Sequence, residues 1–178
     1  MLGVLVATAL APASASAEER TCRGSLGAVT VDNLRVPQGA SCTLTGTRVK
    51  GTVKVERSAT LSARGVRVVG NVQGENARRV DVIRNSRIGG SVQVKQGRAA
   101  RVVDSRVNAD IQYDANRGAL RAARNVVGGS VQVFQNIGGV AISRNTIEGN
   151  LQCKENRPAP TGGRNVVQGN KEDQCARL

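Results

Sequence analysis

A short motif recurs along most of the chain at intervals of 19 or 20 residues. Each copy begins with Gly or Ala, continues with a small polar residue and an aliphatic residue, and usually has Gln next. The copies are GTVKV at 51–55, GNVQ at 70–73, GSVQV at 90–94, ADIQY at 109–113, GSVQV at 129–133 and GNLQC at 149–153, with an echo, GN, at 169–170. So regular a period indicates a repeat protein whose successive units stack on one another.

Three short apolar segments recur within each repeat. Aliphatic residues alternate with polar ones over three to five positions, and Gly, Asn and Ser separate these runs. Apolar residues do not follow the i, i+3, i+4, i+7 spacing of an amphipathic helix. The pattern therefore predicts an all-β fold, a right-handed parallel β-helix (β-solenoid) of about seven three-stranded rungs of 19–20 residues each. The left-handed hexapeptide helix, which repeats every 18 residues or so, fits this period less well.

The first residues have the pattern of a secretory signal peptide. Residues 1–11 are uncharged and mostly apolar, and Ala15, Ser16 and Ala17 form a small-residue cleavage site. We expect a signal peptide at 1–17 and a single β-solenoid domain at 18–178. The apolar run is shorter than the roughly 20 residues that a spanning helix needs, so we expect no transmembrane segment. The sequence thus predicts a secreted protein that is extracellular or associated with the cell envelope.

The four cysteines lie near the two ends of the predicted domain. Cys22 and Cys42 are separated by 20 residues, and Cys153 and Cys175 by 22. An even number of cysteines in an exported chain is typical of disulfide bonds. Because residues one repeat apart lie in adjacent rungs, we expect one bridge to clamp each end of the solenoid. The chain has neither CxxC spacing nor histidine, so we expect no metal site.

The composition narrows the possible chemistry. The absence of histidine excludes a Ser-His-Asp triad and a Cys-His dyad. The acidic residues are scattered, and the nearly constant repeat length leaves no long loop to form a cleft. We therefore expect no cofactor and favour a non-catalytic role, although a polysaccharide-active β-helix enzyme remains an alternative. Tyr113 and Phe134 are the only aromatic residues, so a nucleic-acid site built on base stacking is not expected.

Three sets of polar residues occupy equivalent positions in successive repeats. The first, which we call the glutamine ladder, is Gln73, Gln93, Gln112, Gln132 and Gln152. These side chains should face outward, where stacked amides can bond along the axis or face a glycan. The second set follows the glycine of each repeat and is typical of turns: Thr52, Asn71, Ser91, Asp110, Ser130, Asn150 and Asn170. The third predicts corners with Asn in a left-handed backbone: Arg84–Asn85, Arg124–Asn125, Arg144–Asn145 and Arg164–Asn165, with Asp104–Ser105 in the gap.

A fourth set, which we call the arginine rail, consists of Arg48, Arg67, Arg87 and Arg106. Each arginine precedes an inward aliphatic residue and should point outward. No acidic residue occupies the position after that aliphatic residue, and the chain as a whole has a net charge of +13. Two interpretations stay open: a solvated face that keeps the sheet soluble, and an anion-binding surface for an acidic polymer or polysaccharide.

The motifs GNVQ, GSVQV, GNLQCKEN at 149–156 and GNKEDQC at 169–175 resemble a group of short secreted actinobacterial β-helix proteins of uncharacterised function. The resemblance covers nearly all of 22–178 and implies export and a β-helix, but no activity or site residues. In architecture the chain is also similar to bactofilins, which are polymer-forming β-helical proteins. That similarity implies an alternative structural role, the end-to-end assembly of solenoids, and the oligomeric state stays open.

Overall fold

The computed structural model describes residues 18–178, and the predicted signal peptide at 1–17 lies outside them. The described residues form 25 short strands and no helix. The strands wind into a parallel β-solenoid with three faces, each of which is one parallel sheet. The all-β solenoid predicted from the repeat is confirmed, whereas its right-handed coiling stays a prediction.

Each face contains every third strand of the chain. The first face is β1 (Glu19–Thr21), β4 (Asn33–Val36), β7 (Val53–Val55), β10 (Val72–Glu75), β13 (Val92–Lys95), β16 (Ile111–Asp114), β19 (Val131–Phe134), β22 (Leu151–Lys154) and β25 (Lys171–Asp173). The second face is β2 (Gly24–Leu26), β5 (Ser41–Thr45), β8 (Thr60–Arg64), β11 (Arg79–Ile83), β14 (Ala99–Val103), β17 (Leu120–Ala123), β20 (Val140–Ser143) and β23 (Thr161–Gly163). The third face is β3 (Thr30–Val31), β6 (Arg48–Val49), β9 (Arg67–Val68), β12 (Arg87–Ile88), β15 (Arg106–Val107), β18 (Val126–Val127), β21 (Thr146–Ile147) and β24 (Val166–Val167).

The described chain makes eight complete turns, after which β25 adds one strand to the first face. About seven were predicted, and the additional turn is the first one, β1 to β3. Its strands lack the Gly-polar-aliphatic-Gln motif, which is why the repeat did not reveal it. The pairing of Glu19 with Asn33 nevertheless places β1 in register on β4.

The proline-rich segment near the carboxyl end is more regular than predicted. Because proline cannot donate to a central ladder, the sequence predicts that Pro158 and Pro160 make the second face irregular in the last turn. The structure instead contains β23 immediately after Pro160, and Thr161 pairs with Ala141 of β20. The prediction was wrong because both prolines precede the strand and leave its backbone N–H groups intact.

The interior is a narrow aliphatic column. Alternate residues of the strands point inward and are buried, and most of them are Val, Leu, Ile or Ala. Tyr113 is the one aromatic residue among the fully buried side chains of the described chain, and its hydroxyl donates a hydrogen bond of 2.9 Å to the Arg121 carbonyl. Burial raises the pKa of Tyr113 well above its usual range. Because the interior is filled, any binding surface must lie on the outside.

Two buried asparagine ladders line two of the corners, and the sequence reasoning missed the first of them. Asn116, Asn136 and Asn156 lie between the first and second faces, and Asn125, Asn145 and Asn165 lie between the second and third. In the first ladder, the Asn136 Oδ1 accepts the backbone N–H of Asn116 at 2.9 Å, and the Asn136 Nδ2 donates to the Tyr113 carbonyl at 3.0 Å. Each ladder thereby provides hydrogen-bond partners for the buried backbone N–H and C=O groups at a corner, where the chain leaves the sheets.

The second ladder corrects the prediction for the corner asparagines. At the corner between the second and third faces, the residues with a left-handed backbone in turns five to eight are Asp104, Arg124, Arg144 and Arg164, with φ of 51°, 54°, 56° and 57°. Only at Asn85 does the corner asparagine itself have a positive φ, of 58°. The other asparagines turn inward because each Oδ1 accepts the backbone N–H of its counterpart one turn earlier, so the preceding residue makes the bend.

Both predicted disulfides are present. Cys22 bonds to Cys42, which lies one turn further on, with a Cα–Cα distance of 5.7 Å. Cys153 of β22 bonds to Cys175, which follows β25, with a Cα–Cα distance of 5.3 Å. The bridges tie down the terminal turns, where stacking contacts exist on one side only.

Replacing Asn136 with Ala should lower the free energy of unfolding by about 3 kcal/mol, because several buried hydrogen-bonding groups lose their partner at once. Denaturant unfolding followed by circular dichroism measures this change. Asn170→Ala is the matched control, since that residue is exposed at the last turn, and we expect it to change stability by less than about 0.5 kcal/mol. Equal stabilities of the two variants would contradict the role of the ladder.

Removing either disulfide by a double Cys→Ser substitution should cost about 3 kcal/mol, since each bridge closes a loop of similar length in the unfolded chain. Denaturant unfolding of the C22S/C42S and C153S/C175S variants, beside the parent, measures the loss. A loss below about 1 kcal/mol in both variants would show that the bridges do not stabilise the end turns.

Candidate anion-binding surface

The arginine rail is assembled by the third face. Arg48, Arg67, Arg87 and Arg106 begin β6, β9, β12 and β15, and each pairs in register with the next. All four are exposed, whereas the residue after each of them is buried. With neighbouring strands about 4.8 Å apart, the rail is a line of four side chains about 14 Å long. The structure thus confirms the predicted stacking and outward direction of these arginines.

The surroundings of the rail leave its positive charge uncompensated. Within residues 18–178 the structure has six contacts between basic and acidic side chains, and none of them includes a rail arginine. Beside the start of the rail, Lys50 pairs with Asp32 at 2.8 Å, and its hydrogen bond lowers the pKa of Asp32. The spacing of the arginines is shorter than the Debye length of about 8 Å, so physiological salt does not remove their mutual repulsion.

A shallow groove of about 400 Å³ lies between the rail and the corner that joins the second and third faces. Arg87, Arg106 and Arg124 line it together with Asp104. The Arg124 guanidinium donates to both carboxylate oxygens of Asp104, with Nη2 2.7 Å from Oδ2. This pair holds the pKa of Asp104 below its usual range. The Asp104 carboxylate therefore bonds to Arg124 and not to the rail.

A second groove, of about 390 Å³, lies on the same corner toward the carboxyl end, and we call it the corner groove. Its walls are arginines and its floor is made of small residues. The lining consists of Arg121, Arg124, Ser143, Arg144, Gly162, Gly163 and Arg164. The sequence reasoning assigned Arg124, Arg144 and Arg164 to the corners alone. Their 20-residue spacing, which is close to the 19–20 residues of the rail, is the signal that could have identified them as a surface.

The glutamine ladder bonds along the axis of the solenoid. Each Nε2 donates to the Oε1 of the glutamine one turn further on, at 3.0–3.2 Å, and the Gln152 Nε2 donates to Glu172 at 2.8 Å. The ladder thus stabilises the pairing of turns on the first face, and its contact with a glycan stays a prediction. A groove of about 750 Å³ at its start contains Lys54, Arg57 and Lys95, but also Glu56 and Glu75, so its charges largely offset one another.

The polar residues that follow the glycine of each repeat have the structural role that was predicted. From Thr52 to Asn150, the side-chain oxygen of each one accepts the backbone N–H of its counterpart one turn further on, as between Asn71 and Ser91 at 2.8 Å. The same bond recurs from Asn33 to Asn170. These side chains are therefore engaged in stacking the turns.

Neither a metal-binding cluster nor a membrane-spanning helix is present in residues 18–178. The structure there has no group of three or more Cys, Asp or Glu residues that could hold a metal ion. It also has no helix that is long and apolar enough to cross a membrane.

Comparison of the chain with protein-family models, with curated proteins and with solved structures finds no match.

Replacing Arg124 with Gln should raise the pKa of Asp104 toward the ordinary value of 3.8, because the hydrogen bond from Arg124 is the main cause of its lowering. The pair contributes stability above pH 3.8 and loses it as the pH falls through the lower pKa of the folded state. Carboxyl carbon NMR over a pH titration measures the shift. Asp32, which pairs with Lys50, is the internal control and should keep its low pKa; an unchanged Asp104 pKa would contradict the pairing.

Proposed function

We propose that this protein is a non-catalytic secreted β-solenoid that binds an anionic polymer, in particular an acidic polysaccharide, along the arginine rail. It would act at the cell envelope or outside the cell. The observation that carries the proposal is the in-register stack of Arg48, Arg67, Arg87 and Arg106, exposed and without a carboxylate partner in the described chain.

A stack of like charges is unfavourable for the isolated protein. Like charges directly opposite each other on neighbouring strands destabilise a sheet by a few tenths of a kcal/mol or more. An anionic chain laid along the rail relieves this repulsion at every turn. The guanidinium group suits such a ligand because its planar N–H donors match the paired oxygens of carboxylate, sulfate and phosphate groups.

The geometry favours a polysaccharide over a nucleic acid. Single-stranded nucleic acids bind to platforms of aromatic side chains. Tyr113 is fully buried and Phe134 is half-buried on the first face, away from the rail. Duplex DNA presents one charge per 1.7 Å or so, whereas the rail presents one per 4.8 Å or so. A more sparsely charged chain is therefore the better match for the rail.

The proposal is tested with the variant R48Q/R67Q/R87Q/R106Q and immobilised heparin as the acidic polysaccharide. We expect binding at least about tenfold weaker than that of the parent, with a smaller dependence on salt, because fewer counterions are released. Surface plasmon resonance at two salt concentrations measures both quantities.

A matched control removes the same charge elsewhere. Arg78, Arg98, Arg117 and Arg157 are exposed on the corner between the first and second faces. The variant R78Q/R98Q/R117Q/R157Q has the same net charge as the rail variant and should retain most of the affinity. Thermal unfolding checks that both variants keep the fold. If the two variants bind heparin equally well, net charge and not the rail explains the binding, and the proposal is wrong.

A further inference from the structure

The arginine rail ends at Arg106 because the next residue in its column is Val126. Arginines nevertheless continue on the adjacent corner. Arg124, Arg144 and Arg164 precede β18, β21 and β24, one turn apart. The rail and this corner together present at least one arginine in each of seven successive turns, from the second to the eighth, and Arg84 adds a second one in the fourth turn. The series is Arg48, Arg67, Arg87, Arg106, Arg124, Arg144 and Arg164.

Arg124 connects the two stretches. It lines the shallow groove together with Arg87 and Arg106, and it also lines the corner groove together with Arg144 and Arg164. Its bonds to Asp104 use Nε and Nη2, which fixes the guanidinium group at the junction and leaves Nη1 outside the pair. The basic surface is therefore continuous across the change of face.

The corner groove has the shape and charge of an anion site. Its lining contains four arginines and no carboxylate. Its floor is low because Ser143 and Gly163 occupy paired positions of β20 and β23, and a Cβ built on Gly163 would meet no atom within 4 Å. The arginine side chains thus stand above an open floor, where their N–H groups can converge on one anionic group.

The backbone does not explain why arginine recurs on this corner. Arg124, Arg144 and Arg164 all have φ between 54° and 57°, a conformation that favours Gly or Asn. Gly46 and Gly65, which directly follow the second-face strands of turns two and three, do have this conformation. On the corner between the first and second faces, the left-handed positions are occupied by varied residues: Asn76, Gln96, Ala115, Gln135 and Glu155. Three arginines in succession therefore point to a role of the side chain.

We infer that the corner groove is a second anion-binding site and that one acidic polysaccharide chain runs from the arginine rail, past Arg124, into it. This inference rests on the function proposed for the rail. The path covers six steps of about 4.8 Å, a length of about 29 Å, against about 14 Å for the rail alone. A short oligosaccharide fills one of the two sites, whereas a longer one contacts both and binds more tightly.

The test uses heparin oligosaccharides of defined size, one series shorter than the rail and one longer than the whole path. The variant R144Q/R164Q keeps the Arg124–Asp104 pair and removes two walls of the corner groove. The matched control is R98Q/R117Q, which removes the same charge on the corner between the first and second faces. Isothermal titration calorimetry measures the affinities, and NMR of the arginine Nε–H groups reports which arginines contact the ligand.

We expect the long oligosaccharide to bind the parent at least tenfold more tightly than the short one. It should bind R144Q/R164Q at least fivefold more weakly than it binds R98Q/R117Q. The Nε–H signals of Arg144 and Arg164 should shift in the parent when it is added. Equal affinities of these two variants for the long oligosaccharide, or unshifted signals, would overturn the inference.

The rail variant R48Q/R67Q/R87Q/R106Q separates this inference from the proposed function. If the rail variant is weakened and R144Q/R164Q is not, the rail binds alone and the corner groove is not a site. If R144Q/R164Q is weakened and the rail variant is not, the proposed function of the rail fails and the corner groove is the principal site. If neither is weakened beyond its charge-matched control, both are wrong.

Discussion

The in-register stacking of parallel turns is the constraint on which every other feature of this protein depends. Each strand pairs with the strand three positions later, so every residue has its counterpart directly above it at about 4.8 Å. A favourable contact between two turns is thereby repeated along the axis, and so is an unfavourable one. Val columns fill the interior, Asn and Gln columns bond from turn to turn, and Arg columns accumulate charge.

The positions of the acidic residues decide which of the stacked arginines have an ion-pair partner. On the second face, the largely buried Asp81 accepts hydrogen bonds from Arg79 and Arg101. On the corner, Asp104 pairs with Arg124. On the third face of the described chain, Arg48, Arg67, Arg87 and Arg106 have no such partner. Asp81 and Asp104 therefore neutralise arginines beside them, whereas the rail arginines, like Arg144 and Arg164 of the corner groove, have no acidic partner in the described residues.

The repeat period was enough to predict the solenoid, the two disulfides and the alignment of the rail, because all three depend only on which residues lie one turn apart. The direction of a side chain at a corner depends instead on local backbone bends. Asn125 and Asn145 were therefore assigned to the left-handed position, which Arg124 and Arg144 in fact occupy. The first turn was missed because Glu19–Thr21 lacks the motif. The corner groove was missed because it joins residues at different positions of the repeat, and the sequence reasoning considered each position as a separate column.

Each arginine on this surface is exposed, and an exposed ion pair contributes at most about 1 kcal/mol. No single contact can then hold a polymer, and affinity has to come from the number of contacts made at once. Such summation requires the charges to keep a fixed spacing before the ligand arrives, since ordering them on binding would cost entropy. The asparagine ladders and the terminal disulfides fix the spacing of the turns. In this fold the buried polar columns and the exposed basic ones are thus two parts of one arrangement, in which internal hydrogen bonds set the distance between external charges.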